Sequence, residues 1–188
     1  MSTTQPIRNL EHVRALSNYH LHLGQYRNHL LIIFGLHSAL RVGDMLTIRW
    51  RDVYDFSNNC ARKTLTLREQ KTGKSKTLAL HTKIAKALQQ SVCTAKPHQF
   101  LFANPNTGKA ITRTQARRII RDAGEAINLP GQISCHSLRK TFGYHAWKSG
   151  TSPAIIMEIY NHSNLNTTRR YLGIAQDDLD TVYMGMRF

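Results

Sequence analysis

Acidic residues are scarce in this chain of 188 residues, which has 11 Asp and Glu against 26 Lys and Arg. The formal net charge is +15 at pH 7. An excess of this size favours a polyanionic partner, and nucleic acid is the first one to consider. Charge alone does not exclude a ribosomal protein or a generic basic surface.

Cysteine and long apolar runs are also scarce. The three cysteines, Cys60, Cys93 and Cys135, form no C-x-x-C pair, which argues against a disulfide framework and a zinc ribbon. No apolar signal core is present in the opening MSTTQPIRNL. The longest dense apolar stretch, Leu30 to Leu36, is too short to cross a bilayer. We therefore expect a cytoplasmic protein with no membrane partner.

The N-terminal part of the chain predicts helices. Asn9 can cap a first helix, and the segment from Tyr26 to Leu40 is apolar on nearly every side, which predicts a central buried helix. Several histidines fall in this region: His12, His20, His22 and His29. No acidic or thiolate residue stands at ligand spacing from them, so we expect surface or groove-lining histidines and no metal site.

Arg41 directly follows the apolar helix, in the segment ALRVGDMLTIRWRDV. A charged residue at this place needs a partner, which is either a carboxylate, Asp44 or Asp52, or an anion held by a fixed guanidinium. The residues after it predict a short strand around Trp50 to Tyr54.

Two alternating segments, Lys63 to Leu67 and Lys76 to Leu80, predict a β-hairpin with a turn at Gly73. The turn presents three lysines: Lys71, Lys74 and Lys76. A charged tip is usually only solvated, but a lysine on such a hairpin is also well suited to donate a proton to a nucleic-acid oxygen.

A later helix is predicted to begin at a capping box formed by Thr112 and Gln115. Its polar surface carries four arginines, namely Arg113, Arg117, Arg118 and Arg121. Only Asp122 and Glu125 offset them, so either a solvated face or a DNA-facing helix fits the pattern.

The stretch from Cys135 to Tyr171 has the strongest functional pattern. His136 and Arg139 are three residues apart, so on a helix they share a face. His162 follows after a loop and a helix, and Asn166 can cap a short helix that brings Tyr171 round. An arginine, two histidines and a tyrosine in this order indicate a phosphate-handling site with a tyrosine nucleophile.

From about residue 8 to its C-terminus, the chain resembles the catalytic domain of tyrosine recombinases, the phage-integrase family. The H-x-x-R motif is present, the segments ALRVGD, QKTGK and TTRRYL match in order, and Asp44 takes the supporting acidic position. The resemblance implies these catalytic residues: Arg41, Lys71, His136, Arg139, His162 and Tyr171. Ala39 and Asn161 stand where the family usually has glycine, so we expect altered loops there.

The resemblance implies a mainly α fold with a small antiparallel β-sheet or hairpin, and we expect residues 1–188 to be a single catalytic domain without the N-terminal core-binding domain. It implies a site-specific DNA recombinase or integrase that cleaves and rejoins strands through a 3′-phosphotyrosyl link, for integration, excision or inversion. No cofactor or metal is expected. The DNA contacts we expect are Lys74, Lys76, Arg113, Arg117, Arg121, Arg169 and Arg170.

The roles implied by the resemblance are specific. Tyr171 would attack the phosphodiester, Arg41 and Arg139 would hold its nonbridging oxygens, and Lys71 would protonate the leaving 5′-oxygen. His136 would assist proton transfer at the tyrosine, and His162 would hydrogen-bond the phosphate. We expect double-stranded DNA as partner, a dimer or tetramer on DNA, and a nucleoid-associated protein of a prokaryote.

Two other functions remain open at this point. A type IB topoisomerase uses a similar set of residues but reseals the same strand, and a non-catalytic DNA-binding protein could keep the fold. We also expect Arg139→Ala to abolish cleavage without affecting folding. The segment from Ile174 to Phe188 has helical spacing, and it either docks on a neighbouring protomer or packs on its own chain.

Overall fold

The apolar segment after Tyr26 forms the central helix of the fold, α2 (Tyr26–Ser38), whose side chains are buried on nearly all sides. This computed structural model describes residues 4–174, residue 178 and residues 183–186. Helix α1 (Leu10–His22), α5 (Thr82–Ser91) and α7 (Cys135–Lys148) pack against α2. The predicted central buried helix is therefore confirmed.

The other elements surround this centre. They are α3 (Val42–Met45), α4 (Trp50–Val53), β1 (Tyr54–Asp55), β2 (Cys60–Ala61), β3 (Thr64–Arg68), β4 (Ser75–Ala79), a 3₁₀ turn (Val92–Thr94), α6 (Arg113–Ala126), α8 (Pro153–Tyr160) and α9 (Leu165–Leu172). The strands form two antiparallel pairs, β1 with β2 and β3 with β4. This mainly α architecture with small antiparallel sheets is the predicted fold class.

The predicted hairpin forms with its turn at Gly73. Strands β3 and β4 pair from Thr64↔Ala79 to Arg68↔Ser75. Gly73 has φ +66°, a left-handed conformation that glycine adopts without strain. This pairing places the turn that carries the lysines next to the C-terminal ends of α2 and α8.

Three local predictions were wrong. The residues around Trp50 form the helical turn α4, because the Asp52 carboxylate accepts a bond from the backbone N–H of Arg49 (2.8 Å) and caps it. Helix α9 is capped by Asn164 and not by Asn166, which lies inside the helix. His20 and His29 are buried and not on the surface, because each ring has a hydrogen-bond partner inside the protein.

The last turn of α9 packs in a separate small core. Ala39, Ile156, Tyr160 and Leu172 are buried together, with Tyr171 partly buried against them. This cluster joins the end of α2 to α8 and α9. It therefore fixes the distance between the arginine after α2 and the tyrosine on α9.

Most of the predicted C-terminal helix, including Leu179 and Val182, lies outside the described residues. Within it, Asp178 is buried and forms an ion pair of 2.7 Å with Lys148. Tyr183, Met184 and Met186 are exposed.

Membrane-spanning helices and clusters of metal ligands are both absent from the described ranges. Within residues 4–174, 178 and 183–186, no helix has the length and hydropathy to cross a membrane. In the same ranges, no three His, Cys, Asp or Glu side chains lie close enough together to hold a metal ion.

Candidate active site

Tyr171 lies on α9 among residues from three other parts of the chain. Its ring centroid is 4.9 Å from that of His162, 5.4 Å from that of Tyr160 and 6.4 Å from that of His136. The guanidinium carbon of Arg139 lies 5.9 Å from the same ring. The fold therefore brings together five residues that the sequence spreads from position 136 to position 171.

Arg139 is buried, with 2% of its surface exposed. One of its terminal nitrogens donates to the carbonyl of Ala39 and the other to the carbonyl of Tyr160 (2.9 Å). Its Nε–H is also buried and lacks a hydrogen-bond partner in the described part of the chain. A buried donor without a partner costs free energy of folding, and such groups are often found at functional sites.

The C-terminal end of α8 holds several cations of the site. The carbonyl of Tyr160 accepts bonds from Arg139 and, at 3.4 Å, from Nη2 of Arg41. The preceding carbonyl, of Ile159, accepts a bond of 2.5 Å from Nζ of Lys76. The last carbonyls of a helix have no partner within it and carry partial negative charge, so they suit cationic side chains.

The pKa values of both predicted histidines are lowered, which favours the neutral form. Burial and the nearby charges of Arg139 and Arg41 lower the pKa of His162 to about 4. His136 is exposed at the surface of the groove, but a partial loss of water contact and the charges of Arg139 and Lys140 lower its pKa below the usual value. The Nδ1 atom of His162 lies 3.1 Å from the hydroxyl of Thr168, which leaves Nε2 for a ligand. A neutral imidazole can accept or donate a proton, as the proposed roles require.

The hairpin lysines differ in their surroundings. Lys71 and Lys74 are exposed in the turn, and Lys71 lies near enough to His162 to lower its pKa. Lys76 points inward to α8, where burial and the charge of Arg139 lower its pKa to about 8. We predicted Lys76 as a DNA contact, but its amine donates to the carbonyl of Ile159 and lies close enough to Arg139 for that charge to lower its pKa.

The arginines of α6 border a groove beside the tyrosine. Arg113 and Arg117 line this groove together with His136 and Tyr171. Arg113 donates to the side chain of Gln70 at 2.9 Å. Arg121 pairs with Asp122 at 2.7 Å, so much of its charge is neutralised.

Two of the predicted DNA contacts, Arg169 and Arg170, belong to α9. Arg169 is exposed on α9. The side chain of Arg170 lies outside the described residues. No DNA contact of any residue is tested by this structure, so the whole set stays a prediction.

Two expectations about the arginines need correction. Arg41 pairs with Glu69 at 3.1 Å and not with Asp44 or Asp52, because the hairpin returns to the exit of α2. Asp44 is buried and accepts a bond from the backbone N–H of Gln70 (2.9 Å). Arg139→Ala would remove the donor to the buried Ala39 carbonyl and one of the two donors to the Tyr160 carbonyl, so we expect this change to lower stability by about 1–3 kcal/mol in addition to its effect on cleavage.

The sequence profile of the phage integrase family matches residues 8–177. The chain belongs to this family. In keeping with the family, a probable integrase/recombinase of Bacillus subtilis, YoeC, is 35% identical over 183 residues, which are 97% of each chain. A tyrosine recombinase of Pseudothermotoga lettingae is 27% identical over 159 residues, which cover 83% of this chain and 53% of that protein.

Solved structures of family members share the fold. A crystal structure of XerA recombinase has a TM-score of 0.78 at 19% identity, over 98% of this chain and 68% of that one. XerH recombinase in a post-cleavage complex with its difH substrate has a TM-score of 0.73 at 19% identity, over 96% and 53%. The chain thus spans nearly all of the Bacillus protein but about half of several other relatives.

Several residues of this integrase-family site were missed by sequence reasoning. Tyr160 packs its ring 4.4 Å from the guanidinium carbon of Arg139, and Lys140 places its amine 5.6 Å from the ring centroid of Tyr171. Glu69 and Asn161 join the hairpin to the histidine loop. Each lies within two positions of a predicted catalytic residue, which is the one signal that could have found them.

Proposed function

We propose that this chain is a site-specific DNA recombinase whose Tyr171 attacks a DNA phosphodiester. The observation that carries the proposal is the convergence of His136, Arg139 and His162 around the Tyr171 ring. Recombinase relatives favour this activity over the topoisomerase and non-catalytic alternatives.

In the first step, the Tyr171 phenol oxygen bonds to phosphorus and the bond to the 5′-oxygen breaks. The product is a 3′-phosphotyrosyl link and a strand with a free 5′-hydroxyl. In the second step, the 5′-hydroxyl of another strand attacks this link and releases the tyrosine. One phosphoester replaces another in each step, so the reaction needs no ATP.

Proton transfer is the main chemical cost. A phenol with an ordinary pKa of about 10 costs roughly 4 kcal/mol to deprotonate near neutral pH. In our proposal His136 accepts the phenol proton and Lys71 donates a proton to the leaving 5′-oxygen. Arg41 and Arg139 stabilise the charge that develops on the nonbridging oxygens, and the position of the Arg139 guanidinium carbon 5.9 Å from the Tyr171 ring supports this role.

Covalent trapping tests the nucleophile. Nicked DNA fragments from the flanking region of the gene would be incubated with the protein and separated under denaturing conditions. We expect an adduct with the wild type and with Tyr19→Phe, a matched change on α1, but none with Tyr171→Phe. An adduct of normal yield with Tyr171→Phe would reject Tyr171 as the nucleophile.

Assembly on DNA is the finer part of the proposal. We expect a dimer or tetramer, because strand exchange requires two DNA duplexes and the exposed Tyr183, Met184 and Met186 could dock on a neighbouring protomer. The contact between Asp178 and Lys148 favours packing on the same chain for the beginning of this segment. Truncation after Gly173 should weaken assembly on DNA more than it lowers the melting temperature. The reverse result would favour packing within one chain.

Two further expectations stay predictions. One is that residues 1–188 act as a single catalytic domain without a core-binding domain. Comparing cleavage by this chain with cleavage by a chain carrying such a domain tests it. The other is a nucleoid-associated location in a prokaryotic cytoplasm, which imaging of a fluorescent fusion tests.

A further inference from the structure

Glu69 is the one buried glutamate in the described part of the chain, with 1% of its surface exposed. It directly follows β3 and lies at the base of the turn that carries Lys71. Its backbone carbonyl accepts a bond from the N–H of Gly73 at 2.8 Å, and its own backbone N–H donates to the carbonyl of Lys74 at 3.0 Å. The turn therefore holds Glu69 on both sides.

The carboxylate of Glu69 joins three segments of the site. Its Oε1 accepts a bond from Nη1 of Arg41 at 3.1 Å. Its Oε2 accepts bonds of 2.8 Å from the Thr72 hydroxyl and from the side-chain amide of Asn161. Thr72 is next to Lys71 and Asn161 is next to His162, so one side chain links the arginine, the hairpin lysine and the second histidine.

The electrostatics favour an ionised carboxylate at this place. Burial by itself would raise the pKa of Glu69, but the hydrogen bonds from Asn161 and Thr72 and the charges of Arg41 and Lys76 outweigh it and lower the pKa. Arg41 is 22% exposed, so it keeps contact with the open side of the site. Glu69 thus pairs with one edge of the guanidinium only.

Asn161 has the backbone conformation that this contact requires. Its φ of 51° is left-handed, a conformation that asparagine tolerates better than most residues. Glycine would adopt it as readily but would have no amide to donate. The side chain of Asn161 is therefore matched to the carboxylate of Glu69.

We propose that Glu69 is a positioning residue for DNA cleavage: its carboxylate fixes the guanidinium of Arg41 and couples it to the Lys71 turn and the His162 loop. The inference rests on the proposed function. Glu69 itself does not touch the DNA. It acts by setting the direction in which Arg41 meets the scissile phosphate.

The first test compares Glu69→Gln with Glu11→Gln, the same chemical change at an exposed site on α1. Glu69→Gln should slow adduct formation on nicked DNA by about 100-fold, the usual cost of a displacement near 1 Å in a catalytic group. DNA affinity should not weaken, because the change removes a negative charge. A folded Glu69→Gln that cleaves at the rate of Glu11→Gln would overturn the proposal.

A neutral substrate separates positioning from a general structural defect. A methylphosphonate at the scissile position carries no charge, so Arg41 has less charge to stabilise there. The rate ratio between wild type and Glu69→Gln should therefore be smaller on this substrate. An equal ratio on both substrates would mean that the variant is merely damaged. Asn161→Gly, which keeps the charge of Glu69 and suits the backbone, should show the same pattern more weakly.

A measurement without DNA tests the ion pair of Glu69 with Arg41 independently of the proposed function. In NMR spectra of the arginine side chains, the guanidinium signals of Arg41, assigned with Arg41→Lys, should be separate in the wild type because the ion pair restricts rotation. They should average in Glu69→Gln. Separate signals in both proteins would overturn the claim that Glu69 fixes the guanidinium of Arg41. This result would count even if the wild type formed no adduct on any DNA.

Discussion

Tyr160 is the residue that most tightly links the two arginines to the rest of the site. Its hydroxyl donates to the backbone carbonyl of Arg139 at 2.5 Å, and its own carbonyl accepts from Arg139 and Arg41. The side chain is fully buried, and burial raises the pKa of its phenol well above the ordinary value. Tyr160 therefore stays protonated and acts as a scaffold, whereas Tyr171 lies at the groove.

We predict that Gly143→Ala disturbs this scaffold. A Cβ at position 143 would lie 2.2 Å from the hydroxyl oxygen of Tyr160. Tyr160 would have to move, at a cost of about 1–3 kcal/mol for overpacking, and Arg139 would move with it. The measurement is the free energy of unfolding together with the rate of adduct formation.

The matched control for this change is Gly124→Ala on α6, where the nearest atom to the added Cβ is a side-chain carbon of Ile133 at 3.2 Å. Alanine has a helix propensity better than that of glycine by about 1 kcal/mol, so this variant should keep its stability and its cleavage rate. Equal behaviour of the two variants would contradict the role given to Tyr160.

Two positions where the family usually has glycine keep a glycine-like backbone. Ala39 and Asn161 have φ values of 55° and 51°. Both values are left-handed, and the expectation that these loops differ from those of other family members stays a prediction. At Ala39 the left-handed conformation directs the carbonyl to Arg139, and at Asn161 it lets the side chain reach Glu69.

At the scale of elements, the β3–β4 hairpin carries two lysines that could serve as the general acid. Lys71 matches the family position and lies near His162, whereas Lys76 contacts the end of α8 and has a pKa lowered to about 8. Both lysines lie near the site, so a cleavage experiment is needed to decide which of them is the general acid.

We predict that Lys71→Ala slows cleavage of ordinary DNA by about 10²–10⁴-fold, the usual contribution of a general acid. Replacing the leaving 5′-oxygen with sulfur should restore the rate, because a thiol has a pKa of about 8.5 and leaves without a proton. Lys74→Ala, on the same turn, is the control. If the sulfur substrate restored the cleavage rate of Lys76→Ala and not that of Lys71→Ala, the general acid would be Lys76.

The basic face of α6 gives a second prediction at this scale. Arg117 lines the groove beside Tyr171, whereas Arg121 is neutralised by Asp122 and Glu125. Arg117→Ala should weaken DNA binding and reduce the slope of log affinity against log salt by about one unit. Arg121→Ala should change the slope less. Titrations at several salt concentrations measure both, and equal slopes would argue against this difference.

At the scale of the whole molecule, histidines that lose contact with water on folding set the response to pH. Burial is the largest cause of a lowered pKa at His20, His29, His37, His136 and His162. His37 stacks on His81 with ring centroids 4.5 Å apart, and burial together with the charges of His81 and Lys83 lowers its pKa to about 4.

We predict that the melting temperature falls as the pH decreases from about 6.5 towards about 4. In the unfolded chain these histidines bind protons near the ordinary value of 6.5, whereas folded His37 and His162 bind them only near pH 4. The unfolded chain therefore binds more protons in this window, and stability is lost as the pH falls. His37→Gln should flatten the curve, whereas His22→Gln, at an exposed site on α1, should not. A melting temperature independent of pH would contradict this account.

The sequence alone determined much of this protein. Periodicity and capping residues predicted α2, the β3–β4 hairpin and the helix that carries His136 and Arg139, because these signals depend on neighbours within a few positions. The order of motifs predicted the family, which the profile match over residues 8–177 confirmed. The roles of all six catalytic residues and of the DNA contacts stay predictions.

Tertiary structure decided the partners of the site residues. The ion pair of Arg41 with Glu69 joins positions 28 residues apart, and the bond between Arg139 and Ala39 joins positions 100 apart. No local pattern encodes such pairs, because they form only when the hairpin, α7 and the end of α8 pack around α2. The sequence therefore predicted which groups would handle the phosphate, and packing decided which carbonyls and which carboxylate hold those groups in place.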